Sequence, residues 1–377
     1  MNNRPDSFHS HATPSYPIKT QQFLQQLGIQ HPILLAPMAG TSTPELAAAV
    51  SNAGGLGSLG LANASAEAAR LAIQQTRALT SKPFNCNFFC HQPPQRDPAT
   101  EQIWINYMAP FFQALGGEAP ETLKPVNSSL IDNQPVVDML LQEKPAVVSF
   151  HFGIPAPDVI KQLQQAGIIL LASATSLAEA KIIEAAGIDG IVAQGVEAGG
   201  HRGIFNRDID PAIGIHDLVR LLVAHTHLPI IAAGGLMDGY DIQQVLEFGA
   251  CAAQLGTAFV ICEESAADPV YRQRLQDPAF QTTYITASIS GRPARGLMSA
   301  WHRQVDQPER PALSSYSYMY DLAKQLHALA SKQGNHDFAA YWAGSNVARI
   351  RKLNTTELMH TLIDELHQAN TKQSAHP

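Results

Sequence analysis

From Pro32 onward the chain alternates short, wholly apolar runs with longer stretches that have a helical pattern of apolar residues. The runs read PILLAPMAG, LGSLGL, PFNCNFF, AVVSFHFG, IILLASAT, GIVAQG, PIIAAGG and CAAQLGTAFV, eight in all. Continuous apolar character suits strands covered on both faces, as in parallel sheets flanked by helices. Helix start signals lie between the runs. Ser42 and Glu45 have capping-box spacing ahead of LAAAVSNAGG, and Ser176 and Glu179 repeat it before AKIIEAAG. Pro157 and Asp158 open VIKQLQQAG, while Asp238 to Phe248 forms another helix ending at a glycine. Eight strands with helices between them predict an α/β fold, a (β/α)8 TIM barrel; an open doubly wound sheet is the competing architecture.

Two stretches exceed what the alternation needs, and they divide the chain. Residues 1–17 read as a disordered leader without an apolar signal core, and 18–90 carry the first three strands. Residues 91–144 form an insertion and candidate lid, and 145–284 carry strands four to eight. A C-terminal helical segment, 285–365, is expected over the barrel mouth, followed by a disordered tail, 366–377.

Composition narrows the class. With 45% hydrophobic and 15% charged residues in 377, the chain is a compact globular protein, and a net charge of -7 offers no basic surface for nucleic acid. No stretch of 18 uncharged apolar residues suggests a membrane span. Four cysteines are too few for a disulfide scaffold, which fits a reducing, cytoplasmic setting. Cys86, Cys90 and His91 suggest a metal site only superficially. On a strand, the two cysteines would stand about 13 Å apart at roughly 3.3 Å per residue, too far for one zinc ion.

Barrel enzymes place their chemistry at the C-terminal ends of the strands. There this sequence puts its unusual residues: Met38 after the first strand, Asn87 late in the third, His151 in the fourth and Gln194 in the sixth. Gly234 and Gly235 end the seventh strand, and Gln254, Leu255, Gly256 and Thr257 lie late in the eighth. Glycine-rich ends on strands seven and eight suit a phosphate site made of backbone N–H groups and a helix N-terminus, with Gly234, Gly235, Gly256 and Thr257 as contacts. The amides of Asn87 and Gln194, in otherwise apolar strands, offer donor and acceptor to a flat heterocycle, or satisfy each other or a loop.

After the sixth strand runs VAQGVEAGGHRG, where Gly199 and Gly200 allow close backbone approach and His201 is the group able to change charge near neutral pH. His151 is either a second polar group of the site or a satisfied core histidine. In YSYMYDLAK, Tyr316, Tyr320 and Lys324 recur every four residues, so one helical face would offer two phenols and an ammonium to an anionic substrate.

This ordered set resembles the class I nitronate monooxygenases, formerly 2-nitropropane dioxygenases. The resemblance is carried by PMAGTSTPELAAAVSNAGGLG, NCNFF, VVSFHFG, VAQGVEAGGHRG, AAGGL, QLGTAF and YWAGS, in order over most of Pro32 to Ser345. It departs at Thr41, where a second glycine often stands, and at Cys86, where a valine-like residue is usual. The resemblance implies FMN held by Asn87, Gln194, Gly199, Gly235 and Gln254 to Thr257, with Met38 close to the flavin. It implies His201 as the active-site histidine, and His151, Tyr316, Tyr320 and Lys324 as groups lining the substrate cavity. The implied activity is oxidation of alkyl nitronates, with propionate 3-nitronate expected, by O2 to a carbonyl compound and nitrite, without nicotinamide. An NADH-dependent flavin reductase acting on quinones or enoyl thioesters is the alternative on the same fold. A phosphate-binding lyase or isomerase barrel is the second alternative. Protonated His201 would bind an anionic nitronate, whereas neutral His201 would take a proton from a nitroalkane. The sequence leaves both roles open.

Overall fold

The computed structural model describes residues 16–93 and 96–374, so most of the expected leader lies outside it. The first six apolar runs form β1 (Ile33–Leu35), β2 (Gly57–Gly60), β3 (Phe84–Phe89), β4 (Val147–His151), β5 (Ile169–Ala174) and β6 (Gly190–Gln194). A two-residue strand, β7 (Gly200–His201), belongs to a separate sheet, and the last two runs form β8 (Ile230–Ala233) and β9 (Ala252–Leu255). The eight strands of the main sheet pair in parallel in the order β1-β9-β8-β6-β5-β4-β3-β2. The ends of that order meet: Leu35 N–H donates to the Leu56 carbonyl at 2.9 Å and Leu56 N–H to the Ile33 carbonyl at 3.0 Å. An open sheet would leave β1 and β2 as edges, so this closure makes a (β/α)8 barrel.

Each barrel strand is followed by an outer helix: Pro44–Asn52, Ala66–Leu79, Gln134–Glu143, Pro157–Gln165, Leu177–Ala185, Ile215–His225, Gly239–Glu247 and, much later in the chain, Thr355–Ser374. The last helix packs against Pro44–Asn52 and Gly239–Glu247, and its Leu358, Met359, Leu362 and Leu366 join the barrel core. It therefore occupies the eighth helix position, and residues 260–354 are an excursion between the eighth strand and its helix. Two expected boundaries change as a result. The segment expected over the mouth includes the start of a barrel helix, and the segment expected as a disordered tail is helical as far as Ser374. Four apolar residues at helical spacing, the last of them Leu366, supply the buried stripe that holds this helix in place.

The insertion is also shorter than expected, because Gln134–Glu143 is the third barrel helix, with Val136, Val137, Met139 and Leu140 buried in the barrel core. What remains as extra is 91–133. Its helix, Pro98–Ala114, packs Trp104, Met108 and Phe112 against Trp301, Met319, Leu322 and Leu326 of the later excursion, in a second apolar cluster. Trp104 Nε1 ties the two together by donating to the Ala312 carbonyl at 2.7 Å. In the excursion, β10 (Thr283–Thr286) and β11 (Ala294–Leu297) are antiparallel, and β11 pairs with β7.

The capping signals need finer reading. Thr43, not Ser42, caps the first barrel helix by accepting from Leu46 N–H at 3.0 Å, while Ser42 Oγ accepts from Met38 N–H at 3.0 Å and shapes the turn before it. Ser176 caps as expected, but the Glu179 carboxylate turns to the N–H groups of Thr175 and Phe205. Asp238 and Asp241 form a complete capping box. Cys86 and Cys90 are buried free thiols, and burial pushes both thiol pKa values up. Among the described residues no helix is long and apolar enough to cross a membrane.

Candidate active site

Loops at the C-terminal ends of the strands enclose a cavity of about 420 Å³. Of the residues expected at the site, Met38, Asn87, His151, Gln194, Gly199, His201, Gly234, Gly235, Gln254, Gly256, Thr257, Tyr320 and Lys324 line it. Leu255 does not; its side chain is 1% exposed and belongs to the barrel core. Strand alternation explains this, since Gln254 and Leu255 must face opposite ways.

The ends of β8 and β9 form a cradle of backbone donors. Gly234 (φ 124°) and Gly235 (φ 72°) occupy backbone conformations that favour glycine. None of the N–H groups of Gly234, Gly235, Gly256 and Thr257 donates to an acceptor among the described residues. Such a cluster of outward N–H groups suits an anion. A helix N-terminus contributes little, because the helix at Thr257–Phe259 is a single 3-10 turn and the following barrel helix is closed by its own Asp238 cap.

The amides divide by role. Asn87 Nδ2 donates to Ser149 Oγ (2.9 Å) and to the Ser149 carbonyl (3.1 Å), which leaves Oδ1 as its open group. Gln194 is largely committed to the loop: Oε1 accepts from Gly203 N–H at 2.6 Å and Nε2 donates to the His201 carbonyl at 3.0 Å. One hydrogen on Nε2 remains for a ligand. Gln254 makes no side-chain hydrogen bond among the described residues and keeps both donor and acceptor. Gly199 is needed for a contact that local sequence does not reveal. A Cβ there would sit 2.6 Å from Ala343 C and Gly344 N, so the chain at 343–344 passes directly against it. Gly344 N–H in turn donates to Thr257 Oγ1 at 2.9 Å.

Arg202 stabilises this loop from below. Fully buried, it pairs with Asp210 at 2.8 Å, and its Nη1 donates to the Gln194 and Gly195 carbonyls. His201, next along, pairs through β7 with Ala294 of β11. Its ring is surrounded by Phe152, Tyr316, Tyr320 and Trp342 at centroid distances of 5.2–6.0 Å, and its Nε2 is 2.8 Å from Ser290 Oγ. Burial first, then neighbouring His151, Arg292 and His91, push its pKa down to about 3, so the ring is neutral at pH 7.

His151 has both ring nitrogens engaged, Nδ1 with Ser173 Oγ at 2.9 Å and Nε2 with the His201 carbonyl at 3.2 Å. A carbonyl only accepts, so Nε2 carries the hydrogen and Nδ1 accepts from Ser173. Burial holds its pKa down to about 4. His151 therefore faces the cavity while positioning the His201 backbone.

The expected face of three residues contains two. The helix is Tyr318–Ser331, and Tyr316 lies before it. Ser317 Oγ accepts from the N–H groups of Val126 and Asn127 (2.9 and 3.0 Å), which pins the turn to the insertion and breaks the four-residue spacing. Tyr316 is absent from the cavity lining; it backs the ring of His201, and its phenol oxygen accepts from Asn127 Nδ2 at 2.6 Å. Tyr320 and Lys324 do line the cavity, with Lys324 Nζ 4.8 Å from the Tyr320 ring centroid. Trp342 Nε1 donates to the Tyr320 oxygen at 3.4 Å, leaving the phenol hydrogen for the cavity. Trp342, Asn127, Tyr271 and Gly344 are wall residues that sequence reading did not single out. YWAGS was the one available signal for Trp342 and Gly344, whereas Asn127 and Tyr271 arrive through tertiary packing alone.

Comparison with known proteins gives this geometry its relatives. The nitronate monooxygenase family model matches residues 21–368. Nitronate monooxygenase of Pseudomonas aeruginosa is 50% identical over 348 residues, covering 92% of this chain and 99% of that one. Among solved structures, nitroalkane oxidase from Streptomyces ansochromogenes superposes with a TM-score of 0.85 at 36% identity, covering 93% of this chain and 99% of that one. FabK from Thermotoga maritima has a TM-score of 0.71 at 26% identity, covering 94% and 99%. A match over almost the whole barrel, including its late eighth helix and the excursion that supplies Tyr320, Lys324 and Trp342, places this chain in the nitronate monooxygenase family.

Proposed function

We propose that this protein is an FMN-dependent nitronate monooxygenase that oxidises alkyl nitronates, propionate 3-nitronate among them, with O2 to a carbonyl compound and nitrite. The observation that carries this reading is a neutral, half-buried His201 facing a cavity that also holds Tyr320 and Lys324, in a chain 50% identical to a nitronate monooxygenase.

The residues present fit FMN. The unpaired N–H groups at Gly234, Gly235, Gly256 and Thr257 suit its phosphate, while Gln254, Asn87 Oδ1 and one hydrogen of Gln194 suit polar atoms of the ribityl chain and ring edge. Met38 and the apolar ends of the strands would lie along the flat ring. Bound there, the flavin would supply the redox centre between substrate and dioxygen.

The protein's own groups act on the substrate. Lys324 and the Tyr320 hydroxyl offer a cation and a hydrogen-bond donor to an anionic nitronate. Burial lowers the Lys324 pKa from its ordinary value, and the nearby Asp321 carboxylate offsets part of that effect. At a pKa of about 3 His201 is neutral but a weak base, which favours neither of the two roles considered from sequence and leaves the ring to hydrogen-bond or pack against the substrate. The insertion through Asn127 and the excursion through Tyr320, Lys324 and Trp342 would together form the lid that limits water entry. Four buried, unlinked cysteines fit a cytoplasmic enzyme.

The test is nitrite release from propionate 3-nitronate under air, with NADH oxidation followed in parallel. Nitrite without NADH loss is the expected result. NADH consumption without nitrite would establish a flavin reductase, and protein that stays colourless after FMN reconstitution would point to a lyase or isomerase.

A further inference from the structure

Among the described residues that line the cavity there is no aspartate or glutamate, although the chain has 32 of them, and Lys324 is the one side chain there with a fixed charge. A second cation lies one layer deeper. Arg292, in the turn between β10 and β11, is buried, and its guanidinium carbon sits 4.3 Å from the centroid of the Phe152 ring. That ring also touches Phe89, His151 and His201, at centroid distances of 4.6, 4.5 and 5.7 Å, and all three line the cavity. A single aromatic ring therefore separates the charge from the chamber wall. Phe152 holds its place at φ 71°, a left-handed backbone conformation that is strained for an aromatic residue.

Arg292 contrasts with Arg202, the buried arginine under the preceding loop. Arg202 has a counterion, Asp210, at 2.8 Å. Arg292 makes no ion pair among the described residues: its Nη2 donates to the carbonyls of Ile204 and Phe205, and its Nε is buried without a hydrogen-bond partner. The charged and titratable groups that face it are Glu179, Asp208, Arg207, Tyr316, His91, His151 and His201. Neither carboxylate is free to match it. Asp208 is exposed beside Arg207, and Glu179 accepts from the N–H groups of Phe205 and Thr175. Burial lowers the arginine's pKa to about 10, so it remains a cation at neutral pH. A buried cation without a matched carboxylate is costly to keep, and an anion in the chamber would supply the missing charge.

We infer that Arg292 is a specificity-determining residue that acts through the wall rather than by contact: its unmatched charge selects an anionic ligand over a neutral one of the same shape. This rests on the reading above, in which the chamber receives a nitronate. Because the charge is buried, salt screens it far less than it would a surface lysine. At a separation of roughly 10 Å and an effective dielectric of about 20, one unit charge changes the affinity for an anion about tenfold.

The experiment uses propionate and propionamide, which share a shape but not a charge. Their Kd values are read from 15N spectra of histidine-labelled holoenzyme and of its Arg292→Gln, Arg292→Lys and Lys324→Met variants, beside steady-state kinetics on ethylnitronate. Arg292→Gln removes the charge but keeps a donor for the Ile204 and Phe205 carbonyls. In it the preference for propionate should fall about tenfold, and KM for ethylnitronate should rise by about that factor with kcat little changed. Arg292→Lys should restore both. Lys324→Met leaves Arg292 in place and should retain part of the preference, so the inference can fail even if Arg292→Gln does not fold. Equal weakening of propionate and propionamide in Arg292→Gln, no recovery in Arg292→Lys, or complete loss of the preference in Lys324→Met would overturn it. If the wild type yields no nitrite from ethylnitronate, the functional reading fails, while the two Kd values still decide the role of Arg292.

Discussion

Lowering the pH from 7.5 to 5.0 should destabilise this protein chiefly through histidines held neutral in and around the cavity wall. His91 and His151 are pushed down to about 4 and His201 to about 3, in each case by burial first. In the unfolded chain each returns to about 6.5. A folded value below the unfolded one means stability that is fully present above pH 6.5 and is lost as pH falls towards the folded values. At pH 5.0 the unfolded state holds about one more proton at each site. Over 1.5 pH units, at about 1.4 kcal/mol per unit, this costs about 2 kcal/mol per histidine and about 6 kcal/mol for three. That is comparable with the 5–15 kcal/mol that roughly bounds the stability of a folded domain. His31, His302 and His327 are also lowered and act in the same direction, so the total slope alone is not diagnostic. The informative comparison is wild type against His151→Gln, by denaturant unfolding at saturating FMN between pH 5 and 6. The variant should be less stable at pH 7.5, and its stability should fall with acid less steeply by about 1 kcal/mol per pH unit. Equal slopes would mean that His151 is charged in the folded protein, and the picture of a neutral cluster would be wrong.

Gly199→Ala places a Cβ 2.6 Å from Ala343 C and Gly344 N, which must part and loosen the contact to Thr257; about a tenfold weaker FMN Kd by flavin fluorescence is expected, and unchanged affinity would refute it. Lys324→Met should raise KM for an anionic nitronate about tenfold while changing a neutral nitroalkane less. Equal effects on both substrates would remove Lys324 from anion binding. Arg202→Met leaves Asp210 without its partner and three loop contacts broken, and a loss of about 3–5 kcal/mol should appear as a lower Tm by calorimetry, against which an unchanged Tm would count.

The barrel was legible because its signals are local. Eight apolar runs became eight strands, and Asp238, Ser176 and Pro157 opened helices where they were expected. The strand-end residues came together because a closed barrel leaves its strand ends nowhere else to go. Where reading failed, a distant segment decided the outcome. Tyr316 shared a spacing with Tyr320 and Lys324, but Val126 and Asn127 pin the turn after it and start the helix later. Gln194 looked available for a ligand, yet the amide of Gly203 and the carbonyl of His201 take most of it. The final helix could not be assigned to the barrel from sequence, since nothing local tells a returning eighth helix from an appended one.

The detour between the eighth strand and the eighth helix also sets the order in which the molecule is finished during synthesis. By Leu255 all eight barrel strands have been made, but the strand that pairs with His201 comes at Ala294–Leu297, and the segment against Gly199 at Ala343–Gly344. In chain order, the glycines with free N–H groups at Gly234, Gly235 and Gly256 therefore come before the segments that close the cavity over them. Trp342, among the last of the wall residues to leave the ribosome, precedes the eighth helix by only about a dozen residues, so cavity wall and barrel ring are finished by neighbouring stretches of chain.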